Sequence, residues 1–187
     1  MSASNSNKYI FKIIICGDWA VGKTSLVRRY ATNTFTEDYL TTIAMDVTNK
    51  ELVVDGFDVN LALWDTSGQE RFSALRKRYY EGAQGVIFVF DITRPESFRH
   101  IEKRWVPEVT AVLDDYVPAV WGTKSDLAAQ RVVSTNSGDR LGRRLKAYFF
   151  ETSALTGENV EKAFTSLSRL VLSKALTSEK KETSFTI

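Results

Sequence analysis

The chain has 187 residues, a length that suits one domain with a sizeable core. Apolar residues make up 43% and charged residues 26%, the balance of a globular protein and not of a disordered or fibrous one. A net charge of +2 gives no broad basic field, which argues against a nucleic-acid partner, and a single cysteine excludes a disulfide framework and a thiolate metal site.

The start, Met1 to Asn7, is polar and lacks the apolar core of a secretion signal. Tyr9 to Cys16 reads as a buried strand. Cys16 at its end reads as a small core residue, consistent with a reducing compartment. Gly17-Asp18-Trp19-Ala20-Val21-Gly22-Lys23-Thr24 then spells G-x-x-x-x-G-K-[ST], with Ser25 following. An amphipathic stretch, Leu26 to Ala31, completes a strand–loop–helix unit. In such a loop successive backbone N–H groups curl around phosphate oxygens, and the helix start near Gly22 adds its dipole. The Lys23 ammonium supplies a point charge and the Thr24 hydroxyl a ligand for Mg²⁺.

Glu51 to Val54 and Phe57 to Trp64 flank Asp55-Gly56, a two-residue hairpin signal. Val86 to Phe90 is continuously apolar, the mark of a strand covered on both faces. A helix is predicted from Pro95, with Phe98, Ile101, Trp105, Val109 and Val112 on one side and a kink at Pro107. His100, beside Arg99 and Lys103, reads as part of its solvated face, as do Arg140, Arg143, Arg144 and Lys146 on a later helix. Val117 to Trp121 and Tyr148 to Phe150 are two more short strands. Val160, Ala163, Phe164, Leu167, Leu170 and Val171 recur at a 3.6-residue period in the last helix.

This alternation predicts an α/β protein of three layers. Its centre is a six-stranded, mostly parallel sheet with one antiparallel edge strand, flanked by about five helices. One domain is expected over 8–176, with flexible tails at 1–7 and 177–187. No apolar run approaches a transmembrane length. Ser2 breaks the myristoylation pattern, and Ser184 stands where a prenylation box needs cysteine. No stable membrane anchor is therefore expected in this chain.

Three segments, each after a predicted strand, decide among phosphate-binding proteins. They are Asp65-Thr66-Ser67-Gly68-Gln69-Glu70, Thr123-Lys124-Ser125-Asp126 and Glu151-Thr152-Ser153-Ala154. With the phosphate loop they occur in an order and spacing that resembles the Ras superfamily of small GTPases, from about Lys8 to Ala175. The resemblance implies a P-loop NTPase fold and a switch that binds GTP and GDP with Mg²⁺ and slowly hydrolyses GTP. The backbone of Gly17, Asp18, Trp19, Ala20, Val21 and Gly22, with Ser25, would hold the nucleotide. Lys23 would contact the β and γ phosphates. Thr24 and Thr42 would ligate Mg²⁺, and Asp65 would hold it through water. The Gly68 N–H would sense the γ-phosphate, and Gln69 would orient the attacking water, making Gln69, Lys23, Thr42 and Gly68 the catalytic set. Phe35 would pack on the guanine face and Tyr39 close over the phosphates. Asp126 would accept from guanine N1–H and N2–H₂, Lys124 would lie along the base, and Thr123, Ser153, Ala154 and Leu155 would complete the pocket, with the Ala154 N–H on O6. Thr123 replaces the family's commoner Asn, so a weaker tie to the phosphate loop and faster exchange are expected.

Subfamily signals are mixed. Tyr39-Leu40-Thr41-Thr42-Ile43, Trp64 to Phe72 and Tyr79-Tyr80 are similar to Rab proteins. Trp105-Val106-Pro107-Glu108, Gly122-Thr123-Lys124 and Ser153-Ala154-Leu155-Thr156 are similar to Rho proteins, but the Rho helical insert after Asp126 is missing. Val47 stands where Rabs usually carry Phe, and Ala44 replaces a usual Gly. Trp64, Tyr79 and Tyr80 read equally as effector surface or core. The resemblance implies a role in membrane trafficking or cytoskeletal regulation. Effectors, exchange factors and activators would read residues 35–47 and 66–80 of a cytoplasmic monomer, recruited to membranes by partners. Two other readings remain at this point: a GTP-binding interaction protein with negligible turnover, favoured by Trp19 and opposed by Gln69, and a P-loop ATPase or small-molecule kinase, opposed by Asp126.

Overall fold

A computed structural model describes residues 8–36, 42 and 44–184, with side chains to 180. Six strands, β1 (Lys8–Gly17), β2 (Met45–Val54), β3 (Phe57–Thr66), β4 (Gly85–Asp91), β5 (Val117–Thr123) and β6 (Tyr148–Thr152), form one sheet in the order β2-β3-β1-β4-β5-β6. Only β2 runs antiparallel, paired with β3 from Met45↔Thr66 to Val54↔Phe57. The Asp55-Gly56 turn joins them, with both residues at positive φ (49° and 87°), as a tight right-twisting hairpin requires. The first half of β2 extends the expected strand. Asp46, Val47, Asn49 and Glu51 face solvent there, so the segment carries little apolar signal.

The sheet is the middle of three layers because its strands alternate. Ile13 and Ile15 of β1, with Ile87 and Val89 of β4, pack on one face under α1 (Lys23–Thr32) and α6 (Val160–Ser184). Ile14 and Cys16, with Val86, Phe88 and Phe90, pack on the other. That second core holds Tyr80 of α2 (Ser73–Tyr80) and Leu141 of α5 (Thr135–Arg144). It also holds Ile101, Trp105 and Val109 of the helix predicted from Pro95. That helix divides into α3 (Pro95–His100) and α4 (Val106–Thr110), joined without a break by a π-turn over Ile101–Trp105. The wider turn lies just before Pro107, whose ring and missing N–H disfavour a regular α-helical approach. The kink expected at the proline thus takes the form of a π-turn. α6 runs on to Ser184, into the segment 177–187 expected as a tail. Among the described residues no helix is long and apolar enough to cross a membrane.

Gly17 closes β1 at φ +153°, opposite Val89 of β4. A Cβ there would lie 2.2 Å from the Val89 carbonyl oxygen. Both clashing groups are backbone, so β1 and β4 would have to part where the phosphate loop begins. Gly17→Ala is expected to destabilise the fold by about 2–4 kcal/mol, read as a lower urea midpoint at unchanged m-value. A midpoint equal to wild type would contradict the close approach.

Candidate functional site

The loops after β1, β3, β5 and β6 line one cavity of roughly 280 Å³ at the carboxyl edge of the sheet. This is where an open α/β sheet places its ligands. Trp19, Ala20, Gly22, Lys23, Thr24 and Ser25 are part of its lining. Ala20 and Gly22 take positive φ (63° and 92°), which curls the loop before α1 begins. Lys23 is buried and donates to the carbonyls of Gly17 (2.9 Å) and Asp18 (2.8 Å), so its ammonium is held under the loop. Burial lowers its pKa, and the nearby Asp65 carboxylate opposes that shift.

Thr24, Thr42 and Asp65 converge, although they come from three separate segments. The two threonine hydroxyls lie 2.8 Å apart, and both donate to Asp65 Oδ2, at 2.5 and 3.1 Å. Asp65 is buried, which raises its pKa against the pull of Lys23 and the two hydroxyls. Its Oδ1 is buried without a hydrogen-bond partner. Hydroxyl and carboxylate oxygens are the donors a small hard cation takes, and an orphaned carboxylate oxygen is left to face one. The residues therefore fit Mg²⁺.

Phe35, Thr123, Lys124, Asp126, Ala154 and Leu155 line the same cavity. The Ser153 hydroxyl donates to Asp126 Oδ1 and accepts from the Thr156 N–H (3.1 Å). The Lys124 ammonium lies 2.7 Å from the buried Asp91 carboxylate, which fixes its stem at the cavity wall. The Thr123 hydroxyl donates to Val21 O (2.5 Å) and lies 3.0 Å from Phe90 O. Thr123 thus reaches the phosphate loop. The expectation of less reach is therefore not met, although the tie is still a single hydroxyl contact.

Gly17, Asp18, Val21, Asp65, Gln69 and Ser153 stand outside the lining. Tyr39 lies outside the described residues. Gly68 lines the cavity and sits directly on the phosphate loop: a Cβ on it would come within 2.3 Å of Asp18 C and Trp19 N. Asp18 turns its carboxylate away from the cavity, to Trp105 Nε1 (2.9 Å) and His100 Nδ1 (2.7 Å). His100 is therefore not a merely solvated helix residue, because its ring nitrogen meets the buried Asp18 carboxylate. Tyr80 is core, whereas Trp64 and Tyr79 are half-buried neighbours, with Lys12 over the Trp64 ring.

Several contributors carry no local signal. Arg28, Thr36, Thr66, Ser67 and Leu127 also line the cavity. Arg29 donates to the carbonyls of Ala154 (2.6 Å) and Leu155 (2.7 Å) from the last turn of α1. Such pairings join residues more than 120 positions apart, and nothing in the motif spacing points to them.

Residues 12–173 match the Ras family. The chain is 40% identical over 167 residues to the Ras-related protein Rab-1 of Theileria parva, covering 89% of this chain and 76% of that protein. It is 40% identical over 176 residues to the Ras-related protein RABA4d of Arabidopsis thaliana, covering 91% and 79%. It is 39% identical over 168 residues to the Ras-related protein Rab-15 of Bos taurus, covering 87% and 77%. The Rho-like segments are thus carried on a chain that is about 40% identical to these Rab proteins. With phosphate-loop residues, Asp126, and Thr24 and Thr42 with the Asp65 they bond to gathered at one cavity edge, and with the family match over most of its length, the chain belongs to the Ras family of small GTPases.

Proposed function

We propose that this chain is a guanine-nucleotide switch that binds GTP and GDP with Mg²⁺ and slowly converts GTP to GDP and phosphate. One observation carries the reading. Lys23 and Asp126 line the same cavity, the first a cation suited to phosphates and the second a carboxylate suited to the Watson–Crick edge of guanine. Mg²⁺, held by Thr24, Thr42 and Asp65, would supply positive charge to the phosphate oxygens. In hydrolysis the water oxygen bonds to the γ-phosphorus and the bridging P–O bond to GDP breaks. The protein's part is placement and charge, as in phosphoryl transfer generally, for which small GTPases are a type case. Lys23 holds its charge beneath the loop, Gln69 orients the water, and the Gly68 N–H marks the position of the terminal phosphate. Loss of that phosphate would release residues 35–47 and 66–80 for partners to read. Kinship with Rab proteins supports a role in membrane trafficking, with recruitment to membranes by partners.

Trp19 in the lining and Gln69 outside it favour a second reading, a GTP-binding protein with negligible turnover. One experiment separates the two. The nucleotide that co-purifies is identified, and phosphate release is followed from bound GTP and from ATP. Guanine nucleotide and slow release from GTP alone are expected. Equal use of ATP would overturn guanine specificity, and bound GTP without release would establish the second reading.

Chelation tests the metal ligands. EDTA is expected to accelerate dissociation of a fluorescent GDP by about tenfold or more, because the bound phosphates lose the cation shared with Thr24 and Asp65. Release unaffected by EDTA would remove those residues from that role.

A further inference from the structure

The geometry points to Arg76 and Glu108 as positioning residues that set the backbone of the Gly68–Gln69 turn from outside the nucleotide cavity. Arg76 on α2 is completely buried. Its Nε donates to Glu108 Oε1 (2.8 Å) and one terminal nitrogen to Glu108 Oε2 (3.0 Å), a bidentate fork. The other terminal nitrogen donates to the carbonyls of Ser67 (3.0 Å) and Gln69 (2.6 Å). Its carbonyl partners therefore belong to the residues on either side of Gly68. Tyr80 donates its hydroxyl to Glu108 Oε1 (2.8 Å), and the guanidinium lies 4.9 Å from the centre of the Trp105 ring.

A buried ion pair is weak evidence for stability, since apolar residues of similar volume often serve as well. No apolar residue could hold two carbonyls while its partner fixes the direction of approach. Lysine could not either, because a single ammonium cannot make the fork and both carbonyl contacts together. The turn is gripped from the far side as well, where Gly68 rests on the backbone of Asp18 and Trp19.

The same length of helix holds both halves of the site. Trp105, the last residue of the π-turn, donates to the Asp18 carboxylate of the phosphate loop. Glu108, three residues on and so on the same face of the helix, holds the arginine that grips the Gln69 turn. Burial pushes the Glu108 carboxyl up, but the Arg76 and Tyr80 hydrogen bonds outweigh it and hold the group below its ordinary range, charged at neutral pH. A catalytic group misplaced by about 1 Å can lose on the order of a hundredfold in rate, so such a bracket governs turnover without touching substrate.

This inference rests on the proposal that the chain hydrolyses GTP, and the experiment keeps the two apart. Arg76→Lys, Glu108→Gln and the exchanged pair Arg76→Glu/Glu108→Arg are compared with wild type. The readouts are single-turnover hydrolysis of bound GTP, fluorescent GDP release, melting temperature and amide hydrogen exchange in a peptide spanning residues 67–70. Arg76→Lys is expected to slow hydrolysis about tenfold or more and to speed exchange in the turn, with GDP release changed by less than about threefold. The exchanged pair restores an ion pair but not the grip on the carbonyls, so it should stay slow. A folded Arg76→Lys that matches wild type in hydrolysis and exchange would overturn the inference, as would full recovery by the exchanged pair. Should Arg76→Lys fail to fold, the near-isosteric Glu108→Gln carries the same expectations at smaller size. If wild type itself releases no phosphate, the proposed hydrolysis fails, and amide exchange alone decides whether Arg76 holds the turn.

Discussion

Asp126→Asn is expected to weaken GTP binding by about 3 kcal/mol, roughly a hundredfold, while strengthening the binding of xanthosine triphosphate. A carboxylate at this point of the cavity offers two acceptors to a base edge that presents two donors. An Asn side chain replaces one acceptor with an amino group, which then faces a donor of guanine and leaves it unpaired. Xanthine carries a carbonyl where guanine carries its amino group, and that carbonyl accepts from the new amide. Asp126 is held for this task by the Ser153 hydroxyl on one of its oxygens. The loop beyond it is tied down by Arg29 through the carbonyls of Ala154 and Leu155. Competition against a fluorescent guanine nucleotide measures both affinities. A variant that binds GTP within about threefold of wild type would remove Asp126 from base recognition.

The parts of this site that were legible in the sequence are those whose chemistry needs contiguous residues. The phosphate loop requires its glycines and lysine at fixed spacing, and the hairpin requires Asp55-Gly56 where the chain reverses. Each strand-end motif sits where its strand delivers it to the cavity. The polar first half of β2 was not legible, because hydrogen bonding to β3 and not apolar burial makes it a strand. The partners of buried charges were hidden for a different reason. His100 meets Asp18 across 82 positions and Arg76 meets Glu108 across 32. Those pairings exist only once the helix from Pro95 has docked on the sheet. A lone histidine beside Arg99 gives no sign that it will meet an aspartate of the phosphate loop. Thr123 differs from its expectation in one respect. Its shortness suggests less reach, but the carbonyl of Val21 lies close enough for a single hydroxyl.

Trp19→Gly is expected to raise GTP hydrolysis, by several-fold for the protein alone and by on the order of 10³ or more with an activating protein that inserts an arginine. Trp19 places a large indole in the phosphate loop, four residues before Lys23. Half of the residue's surface is exposed to solvent and the rest helps to line the cavity beside Gly68. Its carbonyl is held by Arg94 (2.8 Å) and its N–H lies against Gly68, so the backbone cannot swing the indole away without breaking both contacts. An indole carried at this point of the loop would crowd the approach that an arginine from another protein would use to reach charge developing on the γ-phosphate. Glycine at this point removes that bulk, and its freedom of backbone conformation can accommodate the loop as it stands. Phosphate release from the wild type and the variant, alone and with an activator of Rab-type GTPases, gives the comparison. GDP release measured in parallel shows whether the loop still holds nucleotide. A wild type that already hydrolyses GTP as fast as the variant under both conditions would show that the indole leaves the approach open. A variant faster only without the activator would place the effect of Trp19 on Gln69 and the attacking water.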